Sequence, residues 1–461
     1  MNSFDINIDD FSNVHFIGIG GISMSALAEI LLDKGVSVSG SDSKNSSILE
    51  KLKSKGANIY IGHKAENIKD SLDLIVFTDA ISPDNPEFLE AKLRDIQTID
   101  RGNFLGQLMK KYENSIAISG THGKTTTTGM LSTIIHSTHL DPTILLGGEL
   151  DCIDGNVRIG SDKLILTEAC EYKANLLKFH ATTAVILNVE ADHLDFYKDI
   201  EEIIDVFKGF VSNVSNNGHV IVNSDDENAI NSVKAAKCDV LTFGVDNKSD
   251  YKANDVRFNS EGKSFFTLVV NDKDSYDVVL NVTGIHNVYN ALGAITAAHV
   301  SGLDMQEVIS GINEYNGTHR RLEHKGFFRG VRVIDDYAHH PTEIAVTLKS
   351  MKNLDFNKIW CIFQPHTYTR TKSLLHEFSE SFFDADTVII SNIYAAREKD
   401  NGEVHSKHLV DLLVEKNVDA MHFDDFEDIK DFISKNATKG DLVLTMGAGD
   451  VYTIGEMLIE K

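Results

Sequence analysis

The segment Ser115-Ile-Ala-Ile-Ser-Gly-Thr-His-Gly-Lys-Thr-Thr-Thr-Thr128 constrains the fold of this chain more than any other. An apolar strand runs into a loop flanked by Gly120 and Gly123, and Lys124 with a run of threonines then opens a helix. Strand followed directly by helix is the grammar of a parallel α/β layer. The loop reads as a phosphate cradle: its amides and the positive end of the helix point at an anion, Lys124 adds a point charge, and Thr125 offers an oxygen to a divalent metal. Gly120, Thr121, His122, Gly123, Lys124, Thr125 and Thr126 are therefore candidate nucleotide contacts. Two residues separate the glycines where the common P-loop has four, so the match to that motif is imperfect. An ordinary Gly/Thr turn before a helix is the alternative, and the flanking strand and helix favour nucleotide binding over it.

The same alternation recurs on both sides. Val14–Ile19 reads as a strand, followed by Ile22, Ala26, Leu27, Ile30 and Leu31 on one helix face, then Val36–Ser39 and Leu74–Phe77. After Ser115, strands are expected at Lys163–Thr167, Ala184–Asn188, His219–Asn223 and Val240–Phe243, then a β-rich insert around Asp250–Val282 and a helix over Asn287–Val300. A third series begins near Val331 and includes Ile359–Phe363, Thr387–Ser391 and Leu442–Met446. With 461 residues the chain has room for about three domains. Breaks near 112 and 317 divide it into 1–112, 113–316 and 317–461.

Composition narrows the partners. The formal net charge of −25, from 69 acidic and 44 basic residues, argues against nucleic acid or anionic membrane, because no overall positive field would recruit either. Any phosphate ligand must then meet positive charge concentrated in the sites. Cys152, Cys170, Cys238 and Cys361 lack metal-knuckle spacing and suggest a reducing compartment. An acidic N-terminus where a secretion signal would be basic, and no apolar run near the length of a membrane span, predict a cytoplasmic protein without membrane insertion.

Three further constellations carry chemistry. In the first, Gly18, Gly20, Gly21, Ser23 and Ser25 follow a strand and open a helix, with Asp42 closing the next strand. Ser23 stands where a dinucleotide fingerprint needs its third glycine, which favours another diphosphate ligand over a nicotinamide cofactor or a structural turn. Amides at the helix start would hold a diphosphate, and a carboxylate would bind a ribose or sugar hydroxyl. In the second, Glu168 and His193 lie at the ends of expected parallel strands, where ligands of open α/β sheets sit. With Thr125 they make a sparse shell for Mg²⁺, completed by water and phosphate; strand-end capping is the plain alternative. The third comprises Arg320-Arg321, Asp335-Asp336-Tyr-Ala-His339-His340-Pro341 and Gln364-Pro-His366-Thr-Tyr-Thr-Arg370. Adjacent arginines in so acidic a chain suggest an anion clamp, and the paired histidines suggest a binding turn rather than a zinc site.

Taken in order, these motifs, together with Gly284-Ile-His-Asn287-Val-Tyr-Asn290, resemble the Mur ligase family of peptidoglycan synthesis. The short loop Gly-Thr-His-Gly-Lys-Thr is characteristic of that family. The resemblance spans essentially the whole chain and implies an α/β protein of three domains. These are a Rossmann-like domain for a UDP-sugar, a central P-loop-type ATPase domain with a mainly parallel sheet, and a Rossmann-like domain for an amino acid. It adds His63 and Asn85 to the UDP-sugar contacts and makes Glu168 and His193 metal ligands. Asn287 and Asn290 become adenine contacts, Arg321 a phosphate contact, and Asp336 a ribose or nucleotide contact. His339, His340 and Arg370 fall on the amino-acid side. Two departures stand out: Thr367 replaces an arginine of some relatives, and Thr167-Glu-Ala-Cys-Glu171 differs from the usual acidic run, leaving the role of Glu171 open. Some relatives carbamylate a lysine downstream of the metal histidine. Here Phe207 falls in that register, beside Lys208.

The implied reaction is the joining of L-alanine to the lactyl carboxylate of UDP-N-acetylmuramate, with ATP and Mg²⁺, through an acyl phosphate, by a monomer or homodimer. Lys124, His193 and Arg321 would serve catalysis at the transferring phosphoryl, and His339, His340 or water would take the proton of the amine. Three rivals are a recycling ligase that adds a tripeptide to the same sugar nucleotide, an ATP-driven binding switch, and a nicotinamide-dependent oxidoreductase. Each of the last two accounts for only one of the three units.

Overall fold

A computed structural model describes residues 6–78, 81–193, 196–259, 262–396 and 398–459. The first five residues, part of the acidic start read above, lie outside this set. Three α/β domains follow one another, each with its own mainly parallel sheet. In the first, the strands run Asn58–Ile61, Ser37–Asp42, Asn13–Ile17, Leu74–Phe77, Gln97–Asp100 across the sheet, all parallel. The strand order reverses between Asn13–Ile17 and Leu74–Phe77, and such a reversal opens a crevice at the carboxyl ends of the strands. Gly18 begins the turn at that point.

The helix Ile22–Asp33 was expected to show one apolar face. Instead it is buried on nearly every side from Met24 to Leu31, including Glu29, which is compensated by Lys51 at 3.3 Å and by Lys55. The cause is a second neighbour: Asn156, from the central domain, donates its side-chain amide to the Ile22 carbonyl at 2.9 Å. Lys34 pairs with Asp162 at 2.8 Å, and Asp100, the N-cap of the helix Arg101–Met109, pairs with Lys178 at 2.7 Å. One apolar cluster runs through both domains, from Ile8 to Ala229.

The central sheet has ten strands. Asn114–Ser119 lies at its heart, parallel to Leu164–Glu168 on one side and to Thr183–Ile186 on the other. His219–Asn223 and Asp239–Gly244 extend the sheet in parallel. The expected β-rich insert takes shape as Tyr251–Phe258, Ser264–Val270 and Asp274–Leu280, and the following helix as Ile285–Val300. The third sheet is ordered Glu323–Phe328, Val331–Asp336, Leu442–Met446, Ile359–Phe363, Thr387–Ile390, Ala420–His422, parallel apart from the first pair.

The described parts of Met1–Asn254, Thr267–Val278 and Tyr289–Glu314 form one compact unit. Those of Asp255–Phe266, Val279–Val288 and Tyr315–Lys461 form the other. The break near 112 therefore separates two sheets that share one unit. Among the described residues no helix is long and apolar enough to cross a membrane.

Candidate active site

The phosphate loop lies between the two strands that flank its own. Gly123 is the N-cap of the helix Lys124–Ile135 and has φ +84°, a left-handed conformation that favours glycine. A Cβ at Gly123 would also stand 2.3 Å from Asn290 Oδ1, so the helix carrying Asn290 reaches the loop only because no side chain intervenes. The loop is braced by the segment after Thr183–Ile186. Asn188 Oδ1 accepts from the His122 amide at 2.8 Å, and Thr121 Oγ1 accepts from the Glu190 amide at 2.9 Å.

Lys124 turns into this loop. Its Nζ donates to the carbonyls of Gly120 and Thr121 and to Glu171 Oε2 at 2.9 Å. Burial works against charge on both partners, yet their mutual attraction overcomes it, holding the Lys124 ammonium above and the Glu171 carboxyl below their ordinary values. Glu171 also lies 3.4 Å from His193 Nε2. The residue whose role the sequence left open is thus the bridge between the loop lysine and the strand-end histidine.

Oxygen donors dominate the neighbourhood. Thr125 Oγ1 donates to Glu168 Oε2 at 3.0 Å, and Glu168 Oε1 accepts from the Gly147 amide at 2.6 Å. Donor atoms of Glu171, Asp192 and His193 lie within 4.8 Å of one another. Carboxylates, a hydroxyl and one imidazole suit a hard divalent cation such as Mg²⁺. Lys208 contributes nothing here: it pairs with Asp205 at 2.7 Å on its own helix, while Phe207 is fully buried.

In the first domain, Asp42 folds over the Gly-rich turn, accepting from the Gly20 amide at 2.9 Å and the Ser43 amide at 2.7 Å. Ser23 Oγ accepts from Arg101 Nη1 at 3.2 Å, which brings an unexpected guanidinium to the turn. Two expected contacts are engaged elsewhere. Ser25 is buried and donates to the Ile22 carbonyl, and Asn85 caps the helix Pro86–Leu93 by accepting from the amides of Glu87 and Phe88.

The second unit separates the two adjacent arginines. Arg320 is structural: it donates to Asp335 Oδ2 at 3.2 Å and to the Gly447 carbonyl at 2.7 Å, with Tyr337 and Tyr452 on its guanidinium. Arg321 lies over Tyr337 at 5.0 Å and makes no carboxylate ion pair among the described residues. Asp336 accepts from the amides of Leu322 and Ala338, and burial pushes its carboxyl up to about 6 despite Arg321 nearby. Burial also drives His339 down to about 3. His340 caps the helix Pro341–Lys352, its Nδ1 accepting from the Thr342 amide at 3.4 Å. Thr367, with φ +64°, caps Tyr368–Ser373 by accepting from the Arg370 amide. Asn287 donates to the Thr283 carbonyl at 2.7 Å.

Family models match the chain in order along its length. The Mur ligase family catalytic domain covers 13–113, the Mur ligase middle domain 118–298, and the Mur ligase glutamate ligase domain 320–449. The chain belongs to the Mur ligase family. It is 52% identical over 451 residues to a UDP-N-acetylmuramate–L-alanine ligase of Acetivibrio thermocellus, covering 98% of this chain and 96% of the relative. A Clostridium tetani ligase of the same name is 50% identical over 458 residues, covering 99% and 100%. Among solved structures, the UDP-N-acetylmuramate-alanine ligase MurC of Thermotoga maritima aligns with a TM-score of 0.82 at 28% identity over 97% of this chain and 98% of that one. A murein peptide ligase of Psychrobacter arcticus aligns at 0.74 and 25% identity, again over 97% and 98%.

In this Mur ligase, sequence reasoning missed Arg101, Asn188 and the bridging role of Glu171. Arg101 follows a strand end, a position that could have drawn notice. Asn188 and Glu171 act through partners 66 and 47 residues away, which no local pattern marks.

Proposed function

We propose that this Mur ligase joins L-alanine to the lactyl carboxylate of UDP-N-acetylmuramate, consuming ATP and releasing ADP and phosphate. The observation that carries the reading is identity of about half over nearly the whole chain with ligases bearing that name. The domain boundaries 1–112, 113–316 and 317–461 and a cytoplasmic setting belong to the same reading.

The chemistry faces an electrostatic obstacle, since a carboxylate must approach a terminal phosphate, anion to anion, in a site of lowered dielectric. Lys124, aimed by Glu171, holds positive charge beside the loop amides, and Arg321 adds a guanidinium to the phosphates. Mg²⁺ held by Thr125, Glu168 and His193 would supply further neutralisation of phosphate oxygens when bound. Gly20, Gly21 and Ser23 present the helix start to the UDP diphosphate, and Asp42 accepts from a hydroxyl. Asn290, against Gly123, and Asn287 are the adenine contacts of this reading. His339, His340 or water takes the proton of the incoming amine, and Arg370 holds the amino-acid carboxylate.

The test is ADP release with UDP-N-acetylmuramate and ATP while L-alanine, glycine, L-serine, D-glutamate or a tripeptide is supplied singly. Release that needs both the sugar nucleotide and L-alanine, with a product heavier by one alanyl residue, is expected. Turnover with the tripeptide alone would transfer the assignment to a recycling ligase. Arg321→Ala is expected to lower kcat about a hundredfold with little change in ATP affinity; an unchanged kcat removes Arg321 from the site.

A further inference from the structure

Beside the Gly-rich turn of the first domain lies a charged network that the proposed chemistry does not use. Glu87, in the first turn of the helix Pro86–Leu93, has a side chain with no exposure. Its Oε2 accepts from Ser41 Oγ at 2.5 Å and lies 3.2 Å from His63 Nδ1. Its Oε1 accepts from Asn67 Nδ2 at 2.5 Å. His15 Nε2 stands 3.8 Å from Oε1, too far for a hydrogen bond, and its Nδ1 is engaged with Ser39. Burial alone would push the Glu87 carboxyl up, but these neighbours hold it far below the ordinary carboxylate range. The helix start adds its positive dipole.

The hydroxyl of Ser41 fixes the tautomer of His63. Its single proton goes to Glu87, so at 2.9 Å from His63 Nδ1 it acts as acceptor, and Nδ1 carries a proton. His63 Nε2 is then the nitrogen that gains or loses a proton, on a side chain 24% exposed. Facing this ring are Glu87 from the helix and Ser41 and Asp42 from one strand. Glu87 raises the imidazole above its ordinary value, burial opposes this, and Asp42 adds to the rise. Asp42 is the carboxylate that closes over Gly20.

We propose that Glu87 is a positioning residue of the sugar-nucleotide site: it ties Nδ1–H of His63 inward and, as a carboxylate against the ring, favours its protonated form, so that Nε2–H is offered to a phosphate oxygen of the substrate diphosphate. This rests on the sugar-nucleotide reading above. It adds to the Arg101 guanidinium a second source of positive charge for a diphosphate, in a domain with a carboxylate already on its Gly-rich turn. That charge is favoured by a buried anion acting through a histidine.

The test uses the full chain with Glu87→Gln, His63→Gln and the double variant. His63 is followed by NMR titration of its ring, and binding of UDP and of uridine is measured by calorimetry at pH 6 and 8. In Glu87→Gln, His63 should titrate lower by a unit or more. UDP binding at pH 8 should weaken about tenfold, as one unit of pKa corresponds to a tenfold change in the charged fraction. That loss should shrink toward pH 6, where the ring protonates unaided, and uridine binding should be unchanged. In the His63→Gln background, Glu87→Gln should add no further loss of UDP binding. An unchanged His63 titration, a loss equal at both pH values, or an equal loss for uridine overturns the proposal. If Glu87→Gln does not fold, the intact protein and His63→Gln decide: UDP affinity that falls between pH 6 and 8 in the first but not the second supports it, and identical profiles overturn it. Failure of the intact protein to bind UDP, with His63 still responding to Glu87→Gln, instead defeats the sugar-nucleotide reading and leaves the coupling in place.

Discussion

The two glycine-bearing turns of the first compact unit look alike in sequence and differ in physics. Each follows a central parallel strand and opens a helix, Ile22–Asp33 in one case and Lys124–Ile135 in the other. The central turn contains its own cation, Lys124, pinned by Glu171. The first turn has none of its own and borrows the guanidinium of Arg101 through Ser23, while a carboxylate, Asp42, already occupies the Gly20 amide. The glycines differ as well. Gly123 needs a left-handed backbone and meets Asn290 closely, whereas Gly20 has ordinary dihedrals and yields only to the Asp42 side chain. The same motif grammar therefore carries a cation within the turn in one place and draws its polar partners from other segments in the other.

The sharpest test of this contrast is Lys124→Ala, expected to lower turnover by at least about a thousandfold while UDP-N-acetylmuramate binding persists. Removing one partner of a buried pair also destabilises, by about 3–5 kcal/mol. The Lys124→Ala/Glu171→Gln double variant should recover much of that stability in urea unfolding without recovering turnover. Recovered turnover would show the lysine to be structural. Next in size, Glu168→Gln should cost about a hundredfold in kcat and raise the Mg²⁺ requirement, on the same electrostatic ground; metal dependence unchanged by the substitution would remove Glu168 from the ligand set. Asp42→Asn should be milder and one-sided, raising the sugar-nucleotide KM about tenfold at constant kcat, the scale of one charge-assisted hydrogen bond. A fall in kcat instead would erase the distinction between the two turns. The smallest effects concern the backbone. Gly123→Ala should destabilise by about 2 kcal/mol through its left-handed φ, and Gly20→Ala by less than about 1 kcal/mol, since a side chain gives way more easily than backbone. Equal costs in denaturant titrations would show that both turns are set by packing alone.

Much of the architecture was legible because it rests on short-range periodicity. Ile359–Phe363 and His219–Asn223 appear with the expected ends, since runs of branched apolar residues buried on both faces have little choice but a central parallel strand. The short strands Asn58–Ile61 and Gln97–Asp100 escaped notice: they carry mixed polar residues at sheet edges and are strands because a neighbour pairs with them. The helix Ile22–Asp33 was correctly expected as a helix, but its all-round burial depends on strands more than a hundred residues later.

For the chemistry, the division follows range of interaction. Sequence alone determined the candidate cradles, the lysine and the family, because amides at a helix start, a glycine before it and a cation after it are encoded in consecutive residues. Tertiary structure decided which polar groups complete them. Arg320 and Arg321 are adjacent in sequence and alike in chemistry, yet one is tied to Asp335 and Gly447 while the other lies over Tyr337 and acts on the Asp336 carboxyl only through its charge. Glu171 and Glu87 are two acids among many in a chain of net charge −25 until folding buries one against Lys124 and the other against His63. Buried charge needs a partner at hydrogen-bond distance, and only the packed chain determines which residue that partner is.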